Sequence, residues 1–337
     1  MPKRFLVIQT AFLGDAVLAT ALLEKLHAFY PDAAIDLVVR KGNEGLFGPL
    51  PASTDRGGDV MLAHQHPFLR KLFVWDKRTD KTRNLLKLIG DLRKERYDHV
   101  FNCQRFFSTG LMTVLARGDE KIGYDKNPLS FLFSRKVKHI IGDGRHEVDR
   151  LNALIAHLTD QSRPFPKLYP TSKDGPSTDR SSKYACIAPT SVWFTKQWPE
   201  AKWTELIRLL PVDVKVFLLG APGDAEACSR IAQEAGRGDI LAGKLSLLGT
   251  AHLMEGAVMN YVNDSAPLHI ASAMNASVTV VFCSTVPAFG FGPLRANGRI
   301  VEATEKLDCR PCGLHGHKSC PKGHFKCALG ITAERVR

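Results

Sequence analysis

Within its first forty residues the chain runs from an apolar stretch to a helical apolar stripe and back to an apolar stretch. That order constrains the fold more than any other feature. Residues 5–9 are short and apolar, and residues 16–27 then place Val17, Leu18, Ala21, Leu22 and Leu26 at helical spacing. Pro31 closes that element, and residues 35–39 open a second strand. Strand, helix, strand in so short a span is a βαβ unit, whose crossover implies a parallel sheet. The alternation continues with a helix over 84–96, a strand over 99–101 and a helix over 146–158. Prolines, Gly175 and serines then gather in residues 164–182, the signature of a linker.

Beyond the linker the pattern starts afresh. Strands are predicted over 184–188, 214–219, 257–262 and 278–282, with helices over 200–210, 224–235 and 267–274 between them; Trp203, Leu206 and Ile207 should face inward. A chain of 337 residues exceeds what one hydrophobic core of ~250–300 residues normally serves. The expected division is therefore an amino-terminal α/β domain, 1–170, a linker, 171–182, a second α/β domain, 183–305, and a Cys/His-rich tail, 306–337. Ligands of open parallel sheets bind outside the carboxyl ends of the strands, so the loops that follow strands are where chemistry is expected.

Composition narrows the class. With 44% hydrophobic and 24% charged residues, the chain is neither disordered nor fibrous. No run approaches the ~18 consecutive apolar residues of a spanning helix. Met1-Pro2-Lys3-Arg4 and the apolar run behind it imitate a secretory signal, but Gln9, Thr10 and Asp15 interrupt it. The segment reads as a first buried strand, and the expected location is the cytoplasm. Forty-six basic against 34 acidic residues leave +12, most of it in residues 1–170, which favours anionic partners. The run from Arg70 to Arg96 is densest in positive charge. It reads either as a solvated helix face or as contact with anionic lipid or a phosphorylated acceptor.

Three loops carry polar signals. Gln9-Thr10-Ala11-Phe12-Leu13-Gly14-Asp15 follows the first strand and lacks the G-x-G-x-x-G of a dinucleotide site. Here Gly14 suits a tight turn. Asp15 suits a helix N-cap, and the same position suits a general base that the helix dipole keeps ionised. Pro189 to Pro199 holds Thr190, Ser191, Thr195 and Lys196 before a helix start, an anion-binding turn in which Lys196 would act as a point charge on phosphate. Asn263-Asp264-Ser265-Ala266-Pro267-Leu268-His269 offers Asp264 or Ser265 as a cap, with His269 either a core histidine or a polar donor.

Taken in order, these segments resemble glycosyltransferase family 9, the ADP-heptose:lipopolysaccharide heptosyltransferases. Phe12-Leu13-Gly14-Asp15-Ala16-Val17-Leu18-Ala19-Thr20 with Pro31 to Leu37 is similar to that family's amino-terminal signature, Thr195-Lys196-Gln197-Trp198-Pro199 to its Lys-x-Trp-Pro loop, and Val262-Asn263-Asp264-Ser265 with His269 to its Asn-Asp-Ser-Gly-x-x-His motif. The resemblance implies a GT-B fold: two Rossmann-like α/β domains with parallel sheets facing across a cleft. It implies an inverting, metal-independent transfer from a nucleotide sugar, ADP-heptose, to a lipopolysaccharide core precursor. The amino-terminal domain would hold the acceptor and the carboxyl-terminal domain the donor, at the inner face of the cytoplasmic membrane.

Carried over by position, Asp15 is the catalytic base, with Thr10 and Gly14 in the acceptor-side loop. Lys196 meets the donor phosphates beside Thr190 and Ser191. Asp264, Ser265, Ala266 and His269 form the donor-binding turn, and Glu226 lies near the place of a ribose-binding carboxylate. The chain departs from the pattern at three points. Ala266 stands in place of glycine, so a positive φ there would be strained. Thr190 replaces a glycine, and Cys283-Ser284 replaces Gly-Pro before Thr285.

Cysteines are distributed unevenly. Cys103, Cys186, Cys228 and Cys283 lie scattered in apolar surroundings and read as reduced core thiols, whereas Cys309, Cys312, Cys320 and Cys327 crowd the tail with His315, His317 and His324. A C-x2-C pair with two further cysteines can supply a tetrahedral structural zinc, although the x6 spacing of the second pair is unusual; reduced thiols and disulfides are the alternatives. No cofactor is expected for catalysis. Two other functions compete with transfer. A basic zinc-containing nucleic-acid binder would explain the charge and the cysteines but not the three loops, and no RNP-like motif is present, so nucleic acid is not the expected partner. A nucleotide-sugar epimerase would keep the architecture.

Overall fold

The computed structural model describes residues 2–48, 60–62, 66–175, 182–294 and 296–337. Of the expected linker, residues 176–181 lie outside the described residues. The chain divides into two compact units. One comprises Met1–Ile141 with Glu147–Tyr169, and the other Gly142–His146 with Pro170–Arg337.

The first unit runs β1 (Arg4–Gln9), α1 (Leu13–Phe29), β2 (Ala34–Arg40), β3 (Val60–Leu62), β4 (Leu69–Trp75), α2 (Lys81–Leu92), β5 (Tyr97–Asn102), α3 (Phe107–Leu115), β6 (Gly118–Tyr124), β7 (Arg135–Val137) and α4 (Glu147–Ile155). Its seven strands are ordered β3-β4-β2-β1-β5-β6-β7, all parallel except β3, which pairs antiparallel with β4 at the edge. In β1, Phe5, Leu6, Val7 and Ile8 are wholly buried, because a central parallel strand is covered on both faces and therefore reads as an unbroken apolar run. Helix α1 is buried almost all round, so residues off the expected stripe, such as Ala19, Thr20 and Leu23, are also inside. Its Lys25 is buried as well, its ammonium held by Asp160 Oδ1 at 2.6 Å and by the carbonyls of Asp160 and Ser162 at 2.9 and 2.6 Å.

The second unit runs β8 (Tyr184–Ala188), α5 (Glu200–Leu209), β9 (Lys215–Leu218), α6 (Ala225–Ala235), β10 (Asp239–Ile240), α7 (Leu247–Gly256), β11 (Met259–Asn263), α8 (Ala266–Ala273), β12 (Val278–Phe282), β13 (Gly298–Glu302), α9 (Lys326–Leu329) and α10 (Ala333–Val336). Its sheet is ordered β10-β9-β8-β11-β12-β13 and is parallel throughout. Trp203, Leu206 and Ile207 of α5 are buried as expected. The tail is not an appendage: Ala328, Ile331, Ala333 and Val336 belong to the same buried cluster as Trp198 and Trp203.

The dense basic run does not form one solvated helix face. Arg70 and Lys71 lie in β4, a strand that the helical reading of the region passed over. Arg70 closes on buried Asp36 at 2.6 Å and on Glu95 at 3.0 Å, and Lys71 also pairs with Glu95. Lys94 and Arg96 bind Asp91 and Asp119. Arg70 and Lys71 are thus neutralised within the unit, whereas Lys81, Arg83 and Lys87 are exposed on α2.

Candidate active site

In the first unit β1 ends at Gln9 and the chain turns through buried Thr10. Lys77, just beyond β4, donates to the Thr10 carbonyl at 2.6 Å and to its hydroxyl at 3.2 Å, with the ammonium 4.5 Å from the Trp75 ring centroid. Helix α1 begins at Leu13, and its N-cap, Phe12, makes no side-chain cap. Asp15 is therefore not the N-cap, and Gly14 is not the turn: both sit in the first helical turn, where the backbone bond from Ala16 to Phe12 (3.1 Å) already closes the helix. Asp15 is half-buried there.

A second carboxyl group, unnoticed in the sequence, lies within electrostatic reach of Asp15. Glu147 opens α4, is buried, and accepts from Arg150 Nε at 2.7 Å. Burial pushes it up to about 7 against the pull of Arg150, and the charge of Asp15 pushes in the same direction. Arg40, Lys77 and Arg105 end or follow β2, β4 and β5, all at the carboxyl edge of the sheet. Burial, with Arg40 and Lys81 adding to it, lowers Lys77 to about 8. Of these residues, Lys77 had a sequence signal: recognising β4 would have placed it on this edge.

The second unit gathers its polar groups around Asp264. Lys196 Nζ stands 2.7 Å from Asp264 Oδ2, and Thr285 Oγ1 donates to the same oxygen at 2.6 Å. Asn263, wholly buried at the end of β11, accepts from the Trp198 amide at 2.9 Å and donates to the Pro189 carbonyl at 2.8 Å. It thereby ties the Pro189–Pro199 segment to the Asp264 turn. Thr190 and Ser191 are partly exposed on that segment. Pro199 takes the N-cap position of α5, one residue earlier than a first helical position.

Ser265 is the N-cap of α8 without a side-chain cap, and neither it nor Asp264 caps the helix through its side chain. Ala266 opens α8 and is not among the non-glycine residues with positive φ, so the expected strain does not arise: a helical residue needs no glycine. His269 is a buried histidine whose Nδ1 has no hydrogen-bond partner; burial lowers it to about 3, so it is neutral near pH 7. Glu226 is not drawn into this network. It is exposed on α6 and pairs with Arg230 at 2.9 Å.

The tail packs onto the same loops. His317 N donates to Thr195 Oγ1 at 2.8 Å, Thr195 N donates to the His317 carbonyl at 3.1 Å, and Ser284 Oγ bonds Thr195 Oγ1 at 3.1 Å. Arg310 donates to the carbonyls of Phe282, Cys283 and Thr285, and Cys312 N donates to that of Ser284. Cys309, Cys312, Cys320 and Cys327 line one cavity of ≈ 20 Å³ together with His324. All eight cysteines are free thiols, and the four scattered ones are buried as expected.

Residues 85–320 match the sequence model of glycosyltransferase family 9 (heptosyltransferase). Lipopolysaccharide heptosyltransferase 1 of Escherichia coli K12 is 28% identical over 313 residues, 86% of this chain and 91% of that protein. Among solved structures, a family 9 glycosyltransferase from Veillonella parvula superposes with a TM-score of 0.82 at 19% identity, covering 99% of this chain and 95% of that one. The E. coli ADP-heptose lps heptosyltransferase II superposes at 0.76 with 21% identity, covering 99% and 96%. These matches favour sugar transfer over the nucleic-acid and epimerase readings. The chain belongs to glycosyltransferase family 9, the heptosyltransferases, and is a transferase enzyme with the GT-B fold.

Proposed function

We propose that this enzyme moves a heptose from ADP-heptose to a hydroxyl of the lipopolysaccharide inner core, with inversion at the sugar carbon. The observation that carries the reading is the pair of segments built at the carboxyl edges of the two sheets: the carboxyl group of Asp15 in the first turn of α1, and an ammonium held on the Asp264–Thr285 pair. Asp15 takes the proton of the acceptor hydroxyl, a contribution of typically ~10²–10⁴-fold. The acceptor oxygen bonds to the sugar carbon as the bond to the diphosphate breaks, and the electron pair leaves with ADP. Lys196, with the hydroxyls of Thr190 and Ser191, meets the charge that grows on the leaving phosphate. Asp264 is itself negative and is taken up by Lys196 and Thr285, so it orients the ammonium rather than touching phosphate. Ser265, Ala266 and His269 shape the donor turn, and Glu226 remains the candidate for the ribose hydroxyls.

Arg40, Lys77 and Arg105 suit the phosphates of an anionic acceptor. Phe12, Phe106, Phe107 and Phe131 are exposed on segments following β1, β5 and β6, an apolar complement suited to a lipid-anchored substrate at the inner face of the cytoplasmic membrane. No helix among the described residues is long and apolar enough to cross a membrane. For the tail we propose a structural metal, zinc by ligand type, on Cys309, Cys312, Cys320 and Cys327. Burial and the neighbouring cysteines raise Cys312 and Cys327, the latter to about 11, so binding would displace protons. Such an ion would brace the loops of Thr195 and Ser284 and take no part in transfer.

A panel of ADP-heptose, ADP-glucose and UDP- and GDP-sugars with a core acceptor tests the function, read as nucleotide release and product anomer. ADP-heptose should be the preferred donor, and Asp15→Asn should bind ADP normally while losing at least ~10²-fold in turnover. A preference for another nucleotide, or an active Asp15→Asn enzyme, would contradict the assignment.

A further inference from the structure

A second cluster of metal-binding side chains lies in the first unit, on residues that sugar transfer does not use. His99 on β5 and Glu120 on β6 are register partners on adjacent parallel strands, and His157 comes from the turn that follows α4. His99 Nε2 is 3.2 Å and His157 Nε2 is 3.4 Å from Glu120 Oε2, and one ligand atom from each residue lies within 4.8 Å of the others. Among the described residues this is the trio of histidine, cysteine or carboxylate groups that meets that spacing. Ligands ~2.0–2.1 Å from a tetrahedral zinc ion are separated by about 3.3–3.4 Å, close to the separation of each imidazole nitrogen from Glu120 Oε2.

We infer that His99, Glu120 and His157 form a second metal site, for a divalent ion of the zinc type, which cross-links β5, β6 and the segment after α4.

Surrounding groups prepare the ligands. Arg135 Nε holds Glu120 Oε1 at 3.1 Å, which fixes the carboxylate and leaves Oε2 turned to both imidazoles. Two imidazoles and one carboxylate suit zinc, cobalt or nickel better than calcium or magnesium, and leave a fourth position for water. Two features weaken binding: the positive charges of Arg135 and Lys3, and the buried His99 Nδ1, which has no acceptor for its proton. Outer-shell partners typically contribute 10–100-fold in affinity, so about that much is forgone at His99. Both ligand-bearing strand positions lie toward the amino-terminal ends of β5 and β6, opposite the edge that carries Asp15, so the ion would stabilise the unit rather than join the reaction.

Equilibrium dialysis of the full chain, purified without a histidine tag, against Zn2+ and Co2+ tests the site. The wild type should bind one equivalent that His157→Ala and Glu120→Gln both lose, and Zn2+ should raise its melting midpoint but not theirs. Co2+ in that equivalent should give weak visible bands without thiolate charge transfer, which distinguishes it from any ion on the tail cysteines. The inference is overturned if either variant, with a wild-type melting midpoint in chelator, keeps the wild-type stoichiometry at an affinity within threefold. It is overturned equally if every bound Co2+ shows thiolate bands.

Discussion

Lys196 Nζ and Asp264 Oδ2 stand 2.7 Å apart with both side chains largely buried, and Thr285 bonds the same oxygen. A half-buried lysine paired in this way is oriented before any ligand arrives. Lys196→Ala should lower kcat/KM by about 10²-fold, or ~3 kcal/mol, and should also lower stability, since it leaves the buried Asp264 carboxylate without its cation. Asp264→Asn leaves the ammonium buried without its counter-charge. It should cost on the order of 3 kcal/mol in stability as well as activity, measured by urea unfolding beside steady-state kinetics.

Asn263 touches neither reacting group, yet it is bonded to the Trp198 amide and the Pro189 carbonyl. Replacing it by alanine leaves both backbone groups unsatisfied, at about 1–3 kcal/mol for each buried group. The loop carrying Lys196 would loosen. The expected result is a donor KM raised more than kcat is lowered, with Kd for ADP rising in step by calorimetry.

Glu147 gives stability a pH dependence of definite sign. Its folded value of about 7 lies above the ordinary 4.5, so the folded chain holds a proton that the unfolded chain has released. That contribution is fully present below pH 4.5 and is lost as pH rises toward 7, at about 1.4 kcal/mol per pH unit between these limits. Glu147→Gln should remove this slope from unfolding free energies measured across the interval.

Exposed Phe106 and Phe131 predict contact with lipid. The double change Phe106→Ser, Phe131→Ser should reduce co-sedimentation with anionic vesicles by at least threefold while sparing transfer to a truncated, water-soluble acceptor. Wild-type binding should weaken with salt, since basic residues near such a surface contribute ~1 kcal/mol each. Salt-insensitive binding, or a double variant that binds like wild type, would count against this surface.

What could be read ahead of the coordinates followed the chemistry of local pattern. β1 was visible because a strand covered on both faces must be apolar at every position, and α5 because Trp203, Leu206 and Ile207 recur at helical spacing. β4 was not, because Arg70 and Lys71 interrupt its apolar run; their partners Asp36 and Glu95 are distant in sequence. Glu147 was hidden for the same reason. A glutamate at a helix start is ordinary, and its shift comes from burial together with Arg150 and Asp15. Ala266 misled in the other direction: the missing glycine suggested strain, but α8 begins there with an ordinary helical backbone.

Composition, periodicity and the order of three loops determined that this chain builds two parallel-sheet units and carries its chemistry behind their strands, because covered strands and loop placement are properties of neighbouring residues. Which carboxyl group feels the charge of Asp15, which oxygen holds Lys196, and that the cysteine-bearing tail grips Thr195 and Ser284 were decided by tertiary structure alone. Those relations join residues tens to more than a hundred positions apart, and electrostatic and hydrogen-bond energies depend on distance in space rather than along the chain.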